Sequence, residues 1–291
     1  MELFKHQGYC PICEKTVTFS ADNHWFRDHL FCSDCGSIPR ERALMKVIAD
    51  FFPNYRELSI HESSPCGRGV SSKLLKQAAN YSTSQYYPDI NHGENHPQSA
   101  YRCENLECLT FPDNTFDLFI TQDVMEHIFD AEQAFKEIAR VLKPNGAHIF
   151  TVPLINKSRK TESWASRSEN GEIIYHHEPE YHGNPVDEKG SLVTMHWGYD
   201  IAGYITETAK TPTAIFVIDN IDLGIQAEYI DVLVSWKSTV TKNHKDTVHI
   251  SDYEAQIITL NQTLSNIYNS TSWKITKPIR FLGTQLKTLF K

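Results

Sequence analysis

The sequence is poor in several features, and each scarcity limits what the protein can be. No run of apolar residues approaches the roughly 18 that span a bilayer, so no transmembrane helix is expected. The first residues, MELFKHQGYC, contain no apolar h-region, so no signal peptide is expected. Positive charge is also scarce, because 28 lysines and arginines stand against 36 aspartates and glutamates, giving a net charge of -8. Nucleic acid, which binds through a broad basic surface, is therefore not expected as a partner.

Cysteine is present, but not in the arrangement of a secreted disulfide protein. Four of the seven cysteines form two Cys-x-x-Cys pairs, Cys10 with Cys13 and Cys32 with Cys35. Their separation lies within the roughly 15–20 residues typical of paired zinc knuckles. Four thiolates complete the tetrahedral shell of one Zn2+ ion, so we predict a structural zinc-binding module over residues 1–36. Reduced thiols favour a cytoplasmic location. The alternative is four unrelated buried thiols.

The centre of the sequence, residues 104 to 153, carries the clearest pattern of secondary structure. The run at 116–120 is short and mostly apolar, as in a strand buried in a parallel sheet. Apolar residues then recur at helical spacing over 131–142, and Lys-Pro-Asn-Gly at 143–146 predicts a turn. Residues 147–152 indicate another strand, so the whole stretch predicts a βαβ unit.

Upstream of this unit, the sequence predicts the first half of a doubly wound sheet. A helix is expected over 37–52, a strand over 58–62 and a second strand over 81–87. Between the two strands lie a tight loop and an amphipathic helix, which is where a nucleotide-like cofactor binds in such sheets. We therefore predict an α/β fold with its ligand at the carboxyl ends of the strands.

The central stretch also resembles a known family. LTFPDNTFDLFITQDVMEHI, followed by FKEIARVLKPNGAHIFTVP, is similar to the motifs of class I S-adenosylmethionine (SAM)-dependent methyltransferases. The resemblance implies a Rossmann-like sheet of seven strands over residues 37–237, in which the last two strands form an antiparallel hairpin. It also implies SAM as the cofactor and methyl transfer as the reaction.

The resemblance assigns cofactor-binding roles to residues near the ends of the predicted strands. Glu62 supplies the acid that opens the first loop, but Ser64 and Cys66 stand where the family usually has glycine. Gln85 stands where an acid usually binds the ribose hydroxyls, and Asp89 is the alternative. The implied cofactor-binding residues are Glu62, Ser63, Ser64, Gly67, Gln85, Tyr86, Glu104, Asn105, Leu106, Gln122, Asp123 and His127.

Residues 154–199 interrupt the sheet pattern and show no clear periodicity. A loop of this length is usually functional, and this one follows a strand at the edge where a methyl acceptor would lie. Its aromatic residues, mixed with His, Glu and Asn, suit a hydroxyl-rich substrate such as a sugar. The catalytic candidates, chiefly bases for a hydroxyl proton, are His127, His176, His177, Tyr181 and His182. The alternatives are a surface insertion without a ligand, or a metal site formed by His176, His177 and His182.

The last part of the sequence, residues 238–291, predicts a polar linker followed by a basic, amphipathic helical tail. Residues 255–291 contain five basic residues and no Asp or Glu. Within them, SWKITKPIR resembles a segment at the ends of many bacterial surface-polysaccharide glycosyltransferases. Such a tail suits an anionic membrane surface or a glycosyltransferase partner. The alternative is a helix that packs on its own domain.

Together these features predict a SAM-dependent methyltransferase acting on a sugar or surface-polysaccharide intermediate. It would work in the cytoplasm, bound peripherally at the inner face of the membrane. One alternative is a non-catalytic partner protein with the same fold, motivated by the irregular loop at Ser64 and Cys66. A nucleic-acid methyltransferase is another alternative, although the negative net charge counts against it.

Overall fold

The structure is a computed structural model, and it describes residues 3–99, 101–184 and 188–238. Its N-terminal part consists of β1 (Phe4–Cys10), β2 (Lys15–Ala21), the short helix α1 (Phe26–His29) and β3 (Phe31–Cys32). The three strands form an antiparallel sheet in the order β1-β2-β3. Phe19 and Leu30 of this part are fully buried in one apolar cluster with Leu44 of the following helix. A sheet this small needs the shared core, because it cannot bury enough apolar surface alone.

The main sheet and its helices follow in chain order. The first group is α2 (Pro39–Phe51), β4 (Ser59–Ser63), α3 (Gly69–Gln77), β5 (Asn80–Gln85), β6 (Arg102–Cys103), β7 (Phe116–Gln122), α4 (Ala131–Val141) and β8 (Leu142–Thr151). The second group is β9 (Glu162–Ser163), β10 (Ala165–Arg167), β11 (Ile173–Tyr175), β12 (Tyr181–His182), β13 (Ser191–Leu192), β14 (Met195–His196), α5 (Ile201–Ala209), β15 (Thr213–Phe216) and β16 (Val232–Trp236). One-turn 3-10 helices lie at Tyr55–Glu57, Met125–His127 and Ile221–Leu223.

Seven of the strands form one sheet in the order β15-β16-β8-β7-β4-β5-β6. The five strands from β8 to β6 in this order run parallel, whereas β16 is antiparallel to both β8 and β15. Parallel neighbours need a crossover, and α3 and α4 supply it between β4 and β5 and between β7 and β8. The predicted α/β class, a doubly wound sheet of seven strands with an antiparallel final pair, is confirmed.

The central βαβ unit forms as its sequence predicts, with one difference. Asp130 caps the start of helix α4, because its carboxylate accepts a hydrogen bond from the backbone N–H of Gln133 at 2.9 Å. Its buried face consists of Ala131, Ala134, Phe135, Ile138 and Val141. The predicted turn at 143–146 instead lies within β8. Leu142 already pairs with Phe116 and regular pairing resumes at Ala147, so the residues between them form a bulge.

The segment 154–199 is more regular than its sequence predicts. Its short strands pair antiparallel, β9 with β14, β10 with β11 and β12 with β13. A strand of two or three residues is too short to show the alternation that reveals a strand in a sequence. Thr194 fixes the segment to the edge of the main sheet, because its backbone N–H donates to the carbonyl of Glu126 at 2.7 Å.

The predicted basic tail, residues 255–291, lies outside the described residues, as does most of the predicted linker. The expectations for these segments, and for the domain boundaries, stay predictions. Within the part of the chain that the structure describes, no helix is long and apolar enough to cross a membrane.

Candidate active site and metal centre

The cysteines of the two Cys-x-x-Cys pairs meet at one point. Strands β1 and β3 end at Cys10 and Cys32, and Cys13 and Cys35 lie in the turns that follow. The Sγ atoms of Cys10 and Cys35 are 3.9 Å apart. Those of Cys13 and Cys32 are 3.7 Å apart, and all four sulfurs lie within 4.8 Å of one another. Sulfurs at about 2.3 Å from one tetrahedral zinc ion would be about 3.8 Å apart, so the arrangement fits a closed zinc site.

Two buried residues connect this cysteine cluster to the main sheet. The Ser37 hydroxyl lies 3.1 Å from Cys35 Sγ and accepts a hydrogen bond from Arg42 Nη1 at 3.2 Å. The same guanidinium donates to the carbonyls of Leu30 and Gly224 at 2.8 and 2.7 Å. Burial lowers the pKa of Arg42 to about 10, so the side chain stays charged at neutral pH. The Arg42 side chain thus donates hydrogen bonds both to the N-terminal part and to the loop before β16.

A cavity of about 900 Å³ lies at the carboxyl ends of β4, β5, β6 and β7. Most residues predicted to bind the cofactor line it: Ser63, Ser64, Gln85, Tyr86, Glu104, Asn105, Leu106, Gln122, Asp123 and His127. The N-terminal part contributes Trp25, Arg27 and Asp28, and α2 contributes Arg40. Ligand pockets of roughly 300–1,000 Å³ are usual, and doubly wound sheets bind ligands at this edge. The main sheet, the insert and the N-terminal part therefore share one candidate site.

The first cofactor loop adopts the left-handed backbone that glycine usually provides. Ser64 stands where the resembling family usually has glycine, and its φ is 57°. The Ser64 N–H donates to the carbonyl of Ser84 in β5 at 2.8 Å, which holds the residue in this sparsely populated conformation. A serine thus occupies a position whose backbone favours glycine.

Two residues predicted to contact the cofactor do not line the cavity. Glu62 is fully buried behind the wall, where its carboxylate accepts three hydrogen bonds. The donors are Ser71 Oγ at 2.8 Å, Tyr81 OH at 2.5 Å and Gln122 Nε2 at 2.7 Å. Burial outweighs these donors and raises the pKa of Glu62. Gly67 lies in an outer turn with nothing within 4 Å of the place that a side chain would take. Glu62 thus positions Gln122, and cofactor contacts of Glu62 and Gly67 themselves stay predictions.

Glu104 and its neighbours form the wall at the end of β6. The Glu104 carboxylate accepts hydrogen bonds from Arg102 Nε at 2.6 Å and from the Thr110 N–H at 2.9 Å. Its backbone N–H donates to the carbonyl of Gln85, at the end of β5, at 3.3 Å. Leu106 adds an apolar surface to the same wall. An acceptor group beside an apolar side chain suits a flat ring that carries an amino group.

Asp123, just after β7, forms ion pairs with two arginines, and nothing in the sequence predicts these contacts. Arg27 Nη2 lies 2.5 Å and Arg40 Nε lies 3.2 Å from Asp123 Oδ2. Burial alone would raise the pKa of Asp123, but Arg40 and Arg27 together hold it below the usual range. No local pattern reveals the contact, because Arg27 is 96 residues away in the sequence.

The predicted catalytic residues fall into two groups. Those that line the cavity are His127, Tyr181 and His182. His176 Nε2 is instead hydrogen-bonded to Ser166 Oγ at 2.9 Å, and the His177 ring stacks on Trp164 with centroids 3.9 Å apart. His176 and His177 thus contact other residues of the insert and do not line the cavity, and a catalytic role for them stays a prediction. Nor do they join His182 in any metal-binding group among the described residues.

His127 and His182 instead meet Glu126, to which the sequence had assigned no role. The two rings are 5.1 Å apart, and each has a nitrogen 3.8 Å from Glu126 Oε1. The Glu126 carboxylate raises the pKa of His182. The Glu-His pair directly after β7 is the sequence signal for half of this cluster. The third member, His182, has no such signal, because only the fold of the insert brings it to Glu126 and His127.

Comparison with known proteins finds a family match in the central part of the chain. Residues 65–150 match the family described as Methyltransferase domain. The match begins in the first cofactor loop and ends in β8, so it includes β5, β6 and β7, whose ends form the cavity, and excludes β4 and the N-terminal part. This part of the chain is therefore similar to a methyltransferase domain.

Named relatives match over a limited length. A ubiquinone/menaquinone biosynthesis C-methyltransferase from Hydrogenovibrio crunogenus is 30% identical over 118 residues, which are 36% of this chain and 46% of that protein. A ubiquinone biosynthesis O-methyltransferase from Coxiella burnetii is 29% identical over 103 residues, 35% of this chain and 39% of that protein. The chain thus spans less than half the length of these relatives.

Solved structures of methyltransferases resemble the chain more distantly. A SAM-dependent methyltransferase from Mesorhizobium loti aligns with a TM-score of 0.42 and 14% identity, covering 67% of this chain and 97% of that one. A 1,6-didemethyltoxoflavin-N1-methyltransferase from Burkholderia thailandensis has the same TM-score, 0.42, at 11% identity, covering 68% and 78%. The fold assignment rests on the strand order of the sheet itself.

Proposed function

We propose that this protein is a SAM-dependent methyltransferase. One observation carries the proposal: the methyltransferase domain match at 65–150 coincides with a cavity at the carboxyl edge of the doubly wound sheet. This edge is where such sheets bind nucleotide-like ligands.

The cavity wall suits the parts of a SAM molecule. Gln122 Oε1 is buried and has no hydrogen-bond partner among the described residues, so it can accept from an ammonium group of a ligand. Glu104 and Leu106 suit the amino edge and the face of an adenine ring. Gln85 can hydrogen-bond the ribose hydroxyls through its amide. These four residues would hold the cofactor.

SAM supplies a methyl group on a sulfonium, a carbon already activated for attack. The protein therefore has to position the acceptor and allow its proton to leave. We assign this role to the side of the cavity formed by His127, Tyr181 and His182. The two histidines present ring nitrogens on this side of the cavity, and the Tyr181 ring is exposed for stacking.

The acceptor that we propose is a sugar or surface-polysaccharide intermediate. The insert supports this choice, because it exposes the rings of Tyr175 and Tyr181 next to hydrogen-bonding side chains. The test offers methyl-labelled SAM with nucleotide sugars, lipid-linked oligosaccharides, quinone precursors and RNA. We expect label in a saccharide. Label only in a quinone precursor or in RNA would overturn the proposed acceptor.

We also propose that the cysteine cluster holds one structural Zn2+. A site closed by four thiolates leaves no position for a substrate, so its role is to fold the N-terminal sheet. Metal analysis should find about one zinc per chain, and none in a Cys10→Ser/Cys32→Ser variant. Zinc retained by that variant would refute the site.

For the tail, residues 255–291, we propose binding to an anionic membrane surface or to a glycosyltransferase partner, with the protein peripheral at the cytoplasmic face. Support comes from its five basic residues and lack of acidic ones. Deleting 255–291 should abolish sedimentation with anionic vesicles. Unchanged sedimentation would refute membrane binding through the tail.

A further inference from the structure

The geometry points to a divalent cation site formed by Glu126, His127 and His182 on the acceptor side of the cavity. One ligand atom from each residue lies within 4.8 Å of the other two. Each histidine has a nitrogen 3.8 Å from Glu126 Oε1. That distance is too long for a hydrogen bond, but it allows all three groups to reach one ion between them. Two imidazoles with one carboxylate are a known ligand set for divalent transition metals.

Glu126 gives the strongest single indication of an ion. Its side chain is 2% exposed, and both carboxylate oxygens lack a hydrogen-bond partner among the residues that the structure describes. Burying a carboxylate without a partner is strongly unfavourable. Arg27 and Arg40, two of the arginines that line the same cavity, form ion pairs with Asp123. A cation held between Glu126 and the two histidines would compensate the buried negative charge of Glu126.

Each histidine is oriented by a contact on its other nitrogen. His127 Nδ1 donates to the carbonyl of Leu192 at 2.9 Å, so Nε2, which faces Glu126, carries the lone pair. His182 Nε2 lies 3.2 Å from Glu180 Oε1, which leaves Nδ1 to face Glu126. Metal-binding histidines usually make such an outer contact, because it fixes both the ring and the tautomer. The two rings therefore present lone pairs to the same point.

The ligands come from two supports that are fixed to each other. Glu126 and His127 lie in the one-turn helix after β7, and His182 ends β12 of the insert. Thr194 joins the two supports, because its N–H donates to the carbonyl of Glu126 and its hydroxyl to that of Ile128, both at 2.7 Å. The spacing of the three ligands is thus set by the fold.

A cation at this site would keep open coordination positions, whereas an ion held by four cysteines has none. Both histidines line the cavity, and three protein ligands leave room for water or a substrate oxygen. On the proposed methyltransferase function, on which this step rests, an acceptor hydroxyl or two adjacent sugar hydroxyls would occupy those positions. The cation lowers the pKa of the hydroxyl, whose proton passes to solvent. The new oxygen–carbon bond forms as the carbon–sulfur bond of the sulfonium breaks.

The test uses Mn2+, because it separates this site from the cysteine cluster. Soft thiolates select zinc, whereas Mn2+ prefers harder ligands and binds most weakly of its series, which makes it a stringent probe. Mn2+ is titrated into the full, zinc-loaded chain without SAM. Electron spin resonance reports free Mn2+, and the relaxation of water protons reports bound Mn2+ that retains water.

We expect one Mn2+ per chain, with water still bound to it. Glu126→Gln and His182→Gln, which nearly keep the side-chain shapes, are expected to weaken binding at least about tenfold. His176→Gln is the matched control, because it removes an insert histidine that is bonded to Ser166 and lies off the cavity. Thermal unfolding of each variant shows whether it still folds. If one of the two ligand variants fails to fold, the other still tests the site.

Absence of bound Mn2+, or equal binding by the wild type and both ligand variants, would overturn the inference. Glu126 would then be paired with a protonated His182. Calorimetric titration of the same samples with SAM separates this failure from that of the proposed function. SAM binding without Mn2+ binding refutes the cation site alone, whereas Mn2+ binding without SAM binding supports the cation site and refutes the methyltransferase.

Discussion

Arg27 Nη2 lies 2.5 Å from Asp123 Oδ2, and this ion pair joins the N-terminal part to the sheet edge where the cavity lies. Both side chains are largely buried, with 11% and 15% exposed. Removing one partner of a buried pair leaves the other as an uncompensated charge. The N-terminal part is therefore a wall of the candidate active site as well as a candidate zinc module.

Loss of this ion pair should be costly. Arg27→Met is expected to lower the free energy of unfolding by about 2–4 kcal/mol, because Asp123 keeps only Arg40 as a charged partner. Lys136→Met breaks an exposed pair with Glu132 and, as the control, should cost at most about 1 kcal/mol. Urea denaturation measures both. Equal effects would show that the buried pair contributes no more than a surface pair.

Loss of metal from the cysteine cluster should affect both stability and cofactor binding. A chelator under reducing conditions is expected to lower the thermal midpoint, because zinc binding and folding of the small N-terminal sheet are coupled. SAM affinity should fall in the same sample, since Trp25 and Arg27 line the cavity. Cys10→Ser should reproduce both effects, and Cys108→Ser, an exposed cysteine outside the cluster, neither. A midpoint that resists the chelator would argue against a structural zinc.

The buried carboxylate of Glu62 should be coupled to Tyr81. Glu62→Gln is expected to cost about 1–3 kcal/mol of stability, because an amide cannot accept from all three donors. Tyr81→Phe removes one of those donors. In a double-mutant cycle followed by urea denaturation, the two changes should couple by at least about 0.5 kcal/mol. Strict additivity would show that they do not share a network.

Two buried histidines should make stability depend on pH. Burial lowers the pKa of His61 and of His148 to about 3. Between that value and the ordinary value of about 6.5, the unfolded chain binds a proton that each folded histidine does not. Their contribution to stability is therefore complete above about pH 6.5 and is lost as the pH falls toward the folded pKa.

The expected slope follows from this difference in bound protons. Each histidine should add up to about 1.4 kcal/mol per pH unit to the fall in stability. His148→Phe and His61→Phe should each reduce the slope by about that amount between about pH 4 and 6. Urea denaturation at a series of pH values gives the slope. A slope that neither substitution changes would contradict the neutral, buried state of these rings.

The parts of the fold that the sequence predicted have local signals. The βαβ unit from Phe116 to Thr151 was predictable, because a buried strand and an amphipathic helix each show their pattern within a few residues. The short insert strands escaped prediction because two or three residues hold no such pattern. Ser64 could be placed only by its position in the family motif, since serine rarely has its positive φ.

The unpredicted parts of the candidate site depend on contacts between distant segments. Arg27 reaches Asp123 across 96 residues, and His182 reaches Glu126 from the insert. Glu62 had the position of a cofactor ligand, but its side chain is turned into the protein by donors that only the fold assembles. His177 had suitable chemistry, yet it stacks on Trp164, away from the cavity.

Binding of SAM is the claim on which the rest depends, and calorimetric titration of the full chain tests it most directly. We expect saturable binding at one site per chain, weakened by Glu104→Gln and unchanged by His176→Gln. If the folded protein shows no binding up to millimolar SAM, the methyltransferase account is contradicted, and a non-catalytic partner protein with this fold is favoured instead.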